Sequence, residues 1–203
     1  RGLGEVQARH GRGAVGITLG NPIVHKLGLT LTVPTLVKSL EADGVGRPST
    51  YASIIGTILE RGSAQRQGQA LVPTFTAFAV TGILEQHFPH LVDEKFTAGM
   101  EDVLDEISEG KAEWLPYLRK FYLGPDGLQQ QVLLHEKQID PTEARTLLFD
   151  GLEAKVKIGK FGPYVETGPK GEEVRASLPK DVAPADLDQA QVEEILRQKA
   201  EGP

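Results

Sequence analysis

The spacing of apolar residues changes once along this chain, and that change limits the folds open to it. Between Leu29 and Tyr122 apolar residues recur every three or four positions. That is the repeat of a helix with one buried face. After the turn signal Gly124-Pro125-Asp126-Gly127 the repeat falls to two. Leu152, Ala154, Val156 and Ile158 alternate with Glu153, Lys155 and Lys157, as a half-buried strand requires. A helical part followed by a small antiparallel sheet predicts an α+β fold. The expected division is an irregular leader at 1–28, a helical part at 29–124 and a sheet-bearing part at 125–203.

Local signals place the elements. Pro34 suits the first turn of a short helix with Leu36, Val37 and Leu40 inside, and Gly44 sits where a C-cap belongs. Tyr51, Ile54, Ile55, Ile58 and Leu59 define a second helix face, ended by Gly62. Residues 63–72 read as a hairpin turning near Gln67-Gly68. Thr74 is placed to cap a third helix with Phe75, Phe78, Ala79, Ile83 and Leu84 inward. A fourth helix is expected after Thr97, with the stripe Met100, Val103, Leu104 and Ile107. A fifth carries Trp114, Leu115, Leu118, Phe121 and Tyr122. Glu101, Asp102, Asp105, Glu106, Glu109 and Glu113 read as solvated faces turned away from any nucleic acid. Further helices are expected at 129–137 and 189–199, and strands at 152–158, near 164 and at 173–178.

Composition narrows the setting. The chain contains no Cys, which rules out disulfides and thiolate zinc sites and fits a cytoplasmic protein. No apolar run reaches the ~18 residues of a membrane span. No secretory leader is visible, and Arg1 in place of Met suggests a fragment or a processed chain. The net charge of −6 weighs against nucleic acid taken globally, but a local basic groove works on an acidic protein.

The segment Gly44–Ile55 carries the most chemistry. A glycine turn feeding a helix start presents backbone N–H groups, and such an end binds anions. Arg47 adds a two-pronged cation, and Ser49, Thr50 and Ser53 add hydroxyls. The plain alternative is a turn in which Ser49 caps the helix, and the residues leave both readings open. In the second part, Phe161 and Tyr164 flank a Gly-Pro step beside Lys155, Lys157 and Lys160. Either the rings are stacking platforms for bases, or Tyr164 packs into the core behind an ordinary β-turn. Asp186-Leu187-Asp188 has the spacing of a metal-binding pair but lies in a Pro- and Ala-rich loop, so no metal is assigned to it. His87 and His90 read as surface residues.

These segments, in order, resemble bacterial type IA DNA topoisomerases. The resemblance rests on Thr35-Leu36-Val37-Lys38-Ser39-Leu40-Glu41, Gly46-Arg47-Pro48-Ser49-Thr50-Tyr51-Ala52-Ser53-Ile54-Ile55 and Glu60-Arg61-Gly62. It continues through Leu71-Val72-Pro73-Thr74, Phe96-Thr97-Ala98-Gly99-Met100-Glu101 and Trp114-Leu115-Pro116. The tail Lys157-Ile158-Gly159-Lys160-Phe161-Gly162-Pro163-Tyr164-Val165-Glu166, with Arg175-Ala176-Ser177-Leu178-Pro179, looks like the Cys-free C-terminal repeat of the family. The chain departs from the family pattern at Thr30, Leu31, Val33 and Ser63.

The resemblance implies a parent activity: relaxation of negatively supercoiled DNA by transient single-strand cleavage and religation. This chain is expected to bind and position single-stranded DNA, beside N-terminal catalytic domains of the same enzyme. Arg47, Ser49, Thr50, Ser53 and Arg61 are the expected contacts in the helical part, and Lys157, Lys160, Phe161 and Tyr164 in the repeat. The nucleophilic tyrosine and the acidic cluster holding Mg²⁺ are expected upstream, so no catalytic residue is assigned here. Tyr51 sits on the apolar face of its helix and is assigned to the core. The rival reading is a structural or protein-interaction piece with little DNA affinity. A positive groove through Arg47, Arg61 and Arg66 would discriminate the two.

Overall fold

The computed structural model describes residues 31–202. The leader at 1–28 and the departure at Thr30 lie outside the described residues. The helical part opens with strand β1 (Leu31–Thr32), helix α1 (Val33–Ala42) and helix α2 (Tyr51–Glu60). Strands β2 (Ala64–Gln67) and β3 (Ala70–Pro73) form the expected hairpin, turning at Gly68. β1, which the periodicity did not indicate, pairs antiparallel with β3 and completes a sheet in the order β1-β3-β2. Leu36, Leu40, Val45, Tyr51, Ile55 and Leu71 are buried together, so α1 and α2 close over this sheet. Tyr51 is thus a core residue, as its place on the apolar face requires.

Helices α3 (Phe75–His87), α4 (Glu94–Ser108), α5 (Trp114–Leu123) and α6 (Leu128–His135) follow. The hydroxyl of Thr74 accepts from the amide of Ala77 and so caps α3 as predicted. α4 begins at Glu94 rather than after Thr97. Asp93 accepts from the amide of Lys95 and starts the helix one turn earlier. The predicted stripes on α4 and α5 are present, but neither helix has a fully buried residue. Trp114, Leu118 and Tyr122 are exposed. Between these two helices the rings of Phe96 and Phe121 stack at 6.1 Å.

The second sheet has the order β4-β5-β6-β7, all antiparallel, from β4 (Thr146–Leu147), β5 (Lys155–Gly159), β6 (Gly162–Thr167) and β7 (Val174–Ser177). Its register puts Leu147, Val156, Val165 and Ala176 in one row across all four strands. All four are buried, because successive residues of a strand point to opposite faces and this row takes the inner one. Helix α7 (Gln189–Glu201) covers that face through Val192, with Leu187 beside it. Asp188 opens α7 with a capping box to Gln191. Asp188 of the acidic pair is thus a helix cap.

The same core takes in Phe75 and Ala79 of α3, with Phe78 packed against it. The ring of Phe75 meets Phe149 edge-on at 5.9 Å. A helix of the first part therefore helps cover the sheet of the second.

Candidate nucleic-acid interface

Two places gather the residues expected to touch DNA. The first is the turn between α1 and α2. Gly44 and Gly46 adopt positive φ (71° and 74°), so the chain doubles back sharply enough to set Arg47 at the entrance of α2. A Cβ on Gly46 would lie 2.8 Å from Ile54 Cδ1 and 3.1 Å from Tyr51 Cε1, and the positive φ strains any other residue there. The turn satisfies itself. The Thr50 hydroxyl accepts from the Arg47 amide at 2.9 Å and donates to the Arg47 carbonyl at 3.0 Å. The amides of Thr50 and Tyr51 donate to the same carbonyl. Ser49, the alternative cap, makes no cap; Thr50 stands at the N-cap position. Ser49, Thr50 and Ser53 are all exposed, and Arg61 and Arg66 are exposed at and beyond the far end of α2.

Arg47 is occupied. Its Nε donates to Asp105 Oδ2 at 3.0 Å, and its Nη2 donates to the same oxygen at 2.6 Å and to Asp102 at 3.4 Å. Its Nη1 donates to the carbonyls of Gly44 at 3.2 Å and Gly46 at 2.9 Å. A guanidinium has five N–H groups, and each has an acceptor here. The hydrogen bond to Asp105, with the charges of Glu101 and Asp102 nearby, raises the pKa of Arg47 still further above its ordinary value. The sequence predicts for α4 a solvated acidic face turned away from any nucleic acid; Asp102 and Asp105 are exposed, yet they turn toward Arg47, one of the expected contacts. Asp102 and Asp105 face the cation singled out for phosphate. Nothing local in the sequence links them, because 58 positions separate Arg47 from Asp105.

The second place is the outer face of the β4–β7 sheet. Lys157, Tyr164 and Ser177 stand in one row, and Lys155, Glu166 and Arg175 in the next. Tyr164 is on the face opposite Val156 and Val165, so it is not a core residue. Its ring lies over Gly159, where an added Cβ would sit 3.0 Å from the ring. Lys160 and Phe161 form the tip of the β5–β6 hairpin, outside the Gly159–Gly162 pair. Phe161 is 94% exposed, with the Lys160 ammonium 5.6 Å from its ring centre.

In the second row Glu166 is buried and accepts from both Lys157 and Arg175, the latter at 2.7 Å. Lys157, and secondarily Arg175, hold its carboxyl below the ordinary glutamate range. Lys157 is thereby tied into the sheet, while Lys155 and Lys160 remain exposed. Glu166 and Arg175 were not among the expected site residues. The hairpin register was the available signal, since it sets Glu166 diagonal to Lys157 and opposite Arg175.

Among the described residues no group of three or more His, Asp or Glu is arranged to hold a metal ion. No described helix is long and apolar enough to cross a membrane. His87 packs on His135 at 5.6 Å, and His90 on Phe96.

Comparison with known proteins agrees with both parts of the fold. Residues 29–119 match the family model described as DNA topoisomerase, and residues 149–203 match the topoisomerase C-terminal repeat. DNA topoisomerase 1 of Synechococcus elongatus is 60% identical over 172 residues, covering 85% of this chain and 20% of that protein. DNA topoisomerase 1 of Streptomyces coelicolor is 43% identical over 186 residues, covering 81% of this chain and 19% of that protein. The structure of full-length topoisomerase I from Thermotoga maritima aligns with a TM-score of 0.58 at 29% identity, over 76% of this chain and 26% of that one. The chain spans about a fifth of the length of these curated relatives. With helical core and repeat matched in the same order along one chain, it belongs to the bacterial type IA DNA topoisomerases, the topoisomerase I family.

Proposed function

We propose that this chain binds single-stranded DNA and positions it for a reaction that relaxes negatively supercoiled DNA by transient single-strand cleavage and religation. The observation that carries the reading is Phe161. An aromatic ring 94% exposed at a hairpin tip, with a lysine over its face, contributes nothing to the core. It offers a base a flat apolar surface and offers the neighbouring phosphate a charge, and stacking of this kind is worth about 1–3 kcal/mol per base. Tyr164 extends the platform along the outer face of the sheet, and Lys155 and Arg175 add positive charge beside it. At the other place, the exposed hydroxyls of Ser49 and Ser53 suit a sugar-phosphate backbone, which fixes register without reading sequence, while the Thr50 hydroxyl holds the turn that presents them. In this reading residues 29–124 and 125–203 are two grips on one strand.

The cutting chemistry is not assigned to this chain. Tyr51 is buried with the apolar residues of α1, α2 and β3, so it is read as a core residue and no nucleophilic role is given to it. Magnesium, a nucleophilic tyrosine and the domains that carry them belong to the proposed parent reaction.

The test is fluorescence anisotropy of a labelled single-stranded oligonucleotide over a salt series. Binding that weakens with salt, and that falls about tenfold with Phe161→Ala, is the expected result. A folded chain that ignores the oligonucleotide at low salt would defeat the proposal. It would favour a purely structural piece.

A further inference from the structure

We infer that Asp105 is a built-in competitor for DNA at Arg47: its carboxylate occupies the guanidinium that a phosphate would take, so binding at the α2 entrance proceeds by exchange of one anion for another. The inference rests on the reading of this turn as a DNA grip.

The geometry carries it. A phosphate is recognised by arginine through a pair of parallel N–H donors. Here that pair, Nε and Nη2, is engaged by Asp105 Oδ2 at 3.0 and 2.6 Å. The remaining donors hold the carbonyls of Gly44 and Gly46, so they are fixed in the turn and cannot turn outward without opening it. The outward-facing fork is therefore the only part of Arg47 that a ligand can take, and Asp105 already has it.

The contact is built to be exchanged. The side chains of Arg47 and Asp105 are 30% and 55% exposed, so water reaches both. Ion pairs this exposed are weakly held, because water screens them, so a phosphodiester can match the contact. The backbone carbonyls keep the guanidinium aimed throughout. Asp102, at 3.4 Å from Nη2, stands ready to keep part of the charge balanced.

The experiment is a double-mutant cycle on the whole chain, read by oligonucleotide anisotropy at low and moderate salt. The variants are Asp105→Asn, Arg47→Gln and both together. Glu106→Gln serves as control, since it removes the same charge from the same helix while its exposed side chain makes no contact with Arg47. Circular dichroism checks each fold. Asp105→Asn is expected to tighten binding up to about fivefold beyond the control. In the Arg47→Gln background that gain should vanish, which separates local exchange from a general loss of negative charge. If Asp105→Asn equals the control, or weakens binding, Asp105 is only a structural partner of Arg47 and the inference is overturned. If no variant and not the parent binds, the DNA-binding reading itself fails and takes this one with it.

Discussion

Phe75 offers the sharpest test of how the two parts of this chain depend on each other. It lies on α3, within the helical half, yet it is buried in the core of the second sheet. Only 3% of it is exposed, and it meets Phe149 edge-on at 5.9 Å and 89°. Truncating a buried phenylalanine to alanine costs about 3–5 kcal/mol, through lost transfer energy and the cavity left behind. About 0.5–1.5 kcal/mol of that belongs to the ring pair with Phe149. If the sheet closes only with α3 against it, Phe75→Ala should weaken protection in β5 and β6, which begin 80 positions further along the chain. At about 1.4 kcal/mol per decade, the loss in amide hydrogen-exchange protection is on the order of a hundredfold to a thousandfold. Phe75→Leu, which keeps most of the volume, should lose much less. Mass spectrometry of exchanged peptides from 155–167 gives the readout. Unchanged protection there, with loss confined to 33–123, would refute the shared core and leave residue 124 as a true boundary.

Two electrostatic predictions follow from carboxylates in unusual settings. Partial burial beside Pro89 and Val92 pushes the Glu85 carboxyl up to about 7. The fold then holds a proton that the unfolded chain has released, so stability falls as pH rises from the ordinary glutamate value to about 7. Asp43 and Glu94 are raised chiefly by burial and act in the same direction. Melting at about pH 5.5 should exceed melting at about pH 8, and Glu85→Gln should narrow the gap by raising the higher-pH value. An equal gap in the variant would show that Glu85 is not its source. Glu166 behaves oppositely. Its depressed carboxyl stabilises the fold above the ordinary glutamate value, and this is lost as pH falls through the folded value. Glu166→Gln should cost about 1–3 kcal/mol in urea unfolding at neutral pH, toward the lower end because Arg175 reaches water. Parent and variant should converge near pH ~3. A difference that persists in acid would mean that the loss is packing, not charge.

The fold was legible wherever a single face decided an element. The period of two around Val156 identified a strand, because its neighbours on both sides alternate and every alternate residue meets the core. Thr74 and Gly62 marked helix ends by their own local chemistry. β1 and β4 were not legible. Each has two residues, too few to show any period, and each exists only because a longer strand offers it an edge. Nor could the stripe on α5 reveal that Trp114 and Leu118 would stay exposed. Periodicity reports which residues share a face, not whether anything lies against it.

The candidate site divides along the same line. Phe161 could be placed from sequence because a two-residue hairpin tip exposes whatever it holds, and the flanking Gly159 and Gly162 define that tip. Arg47 could be placed at the start of α2 for the same local reason. Its state could not, since that depends on α4 arriving from 58 positions away. Composition pointed to a difficulty in this chain: acidic overall, yet expected to hold a polyanion. The Arg47–Asp105 pair shows one physical form that the difficulty takes. An acidic chain that keeps cations for phosphate will pair them internally when no phosphate is present, because an unpaired arginine near carboxylates is electrostatically unstable. On the proposed exchange, affinity for DNA follows the difference between two anions at one cation, and charge-removing substitutions on α4 should act according to contact with Arg47 rather than according to net charge.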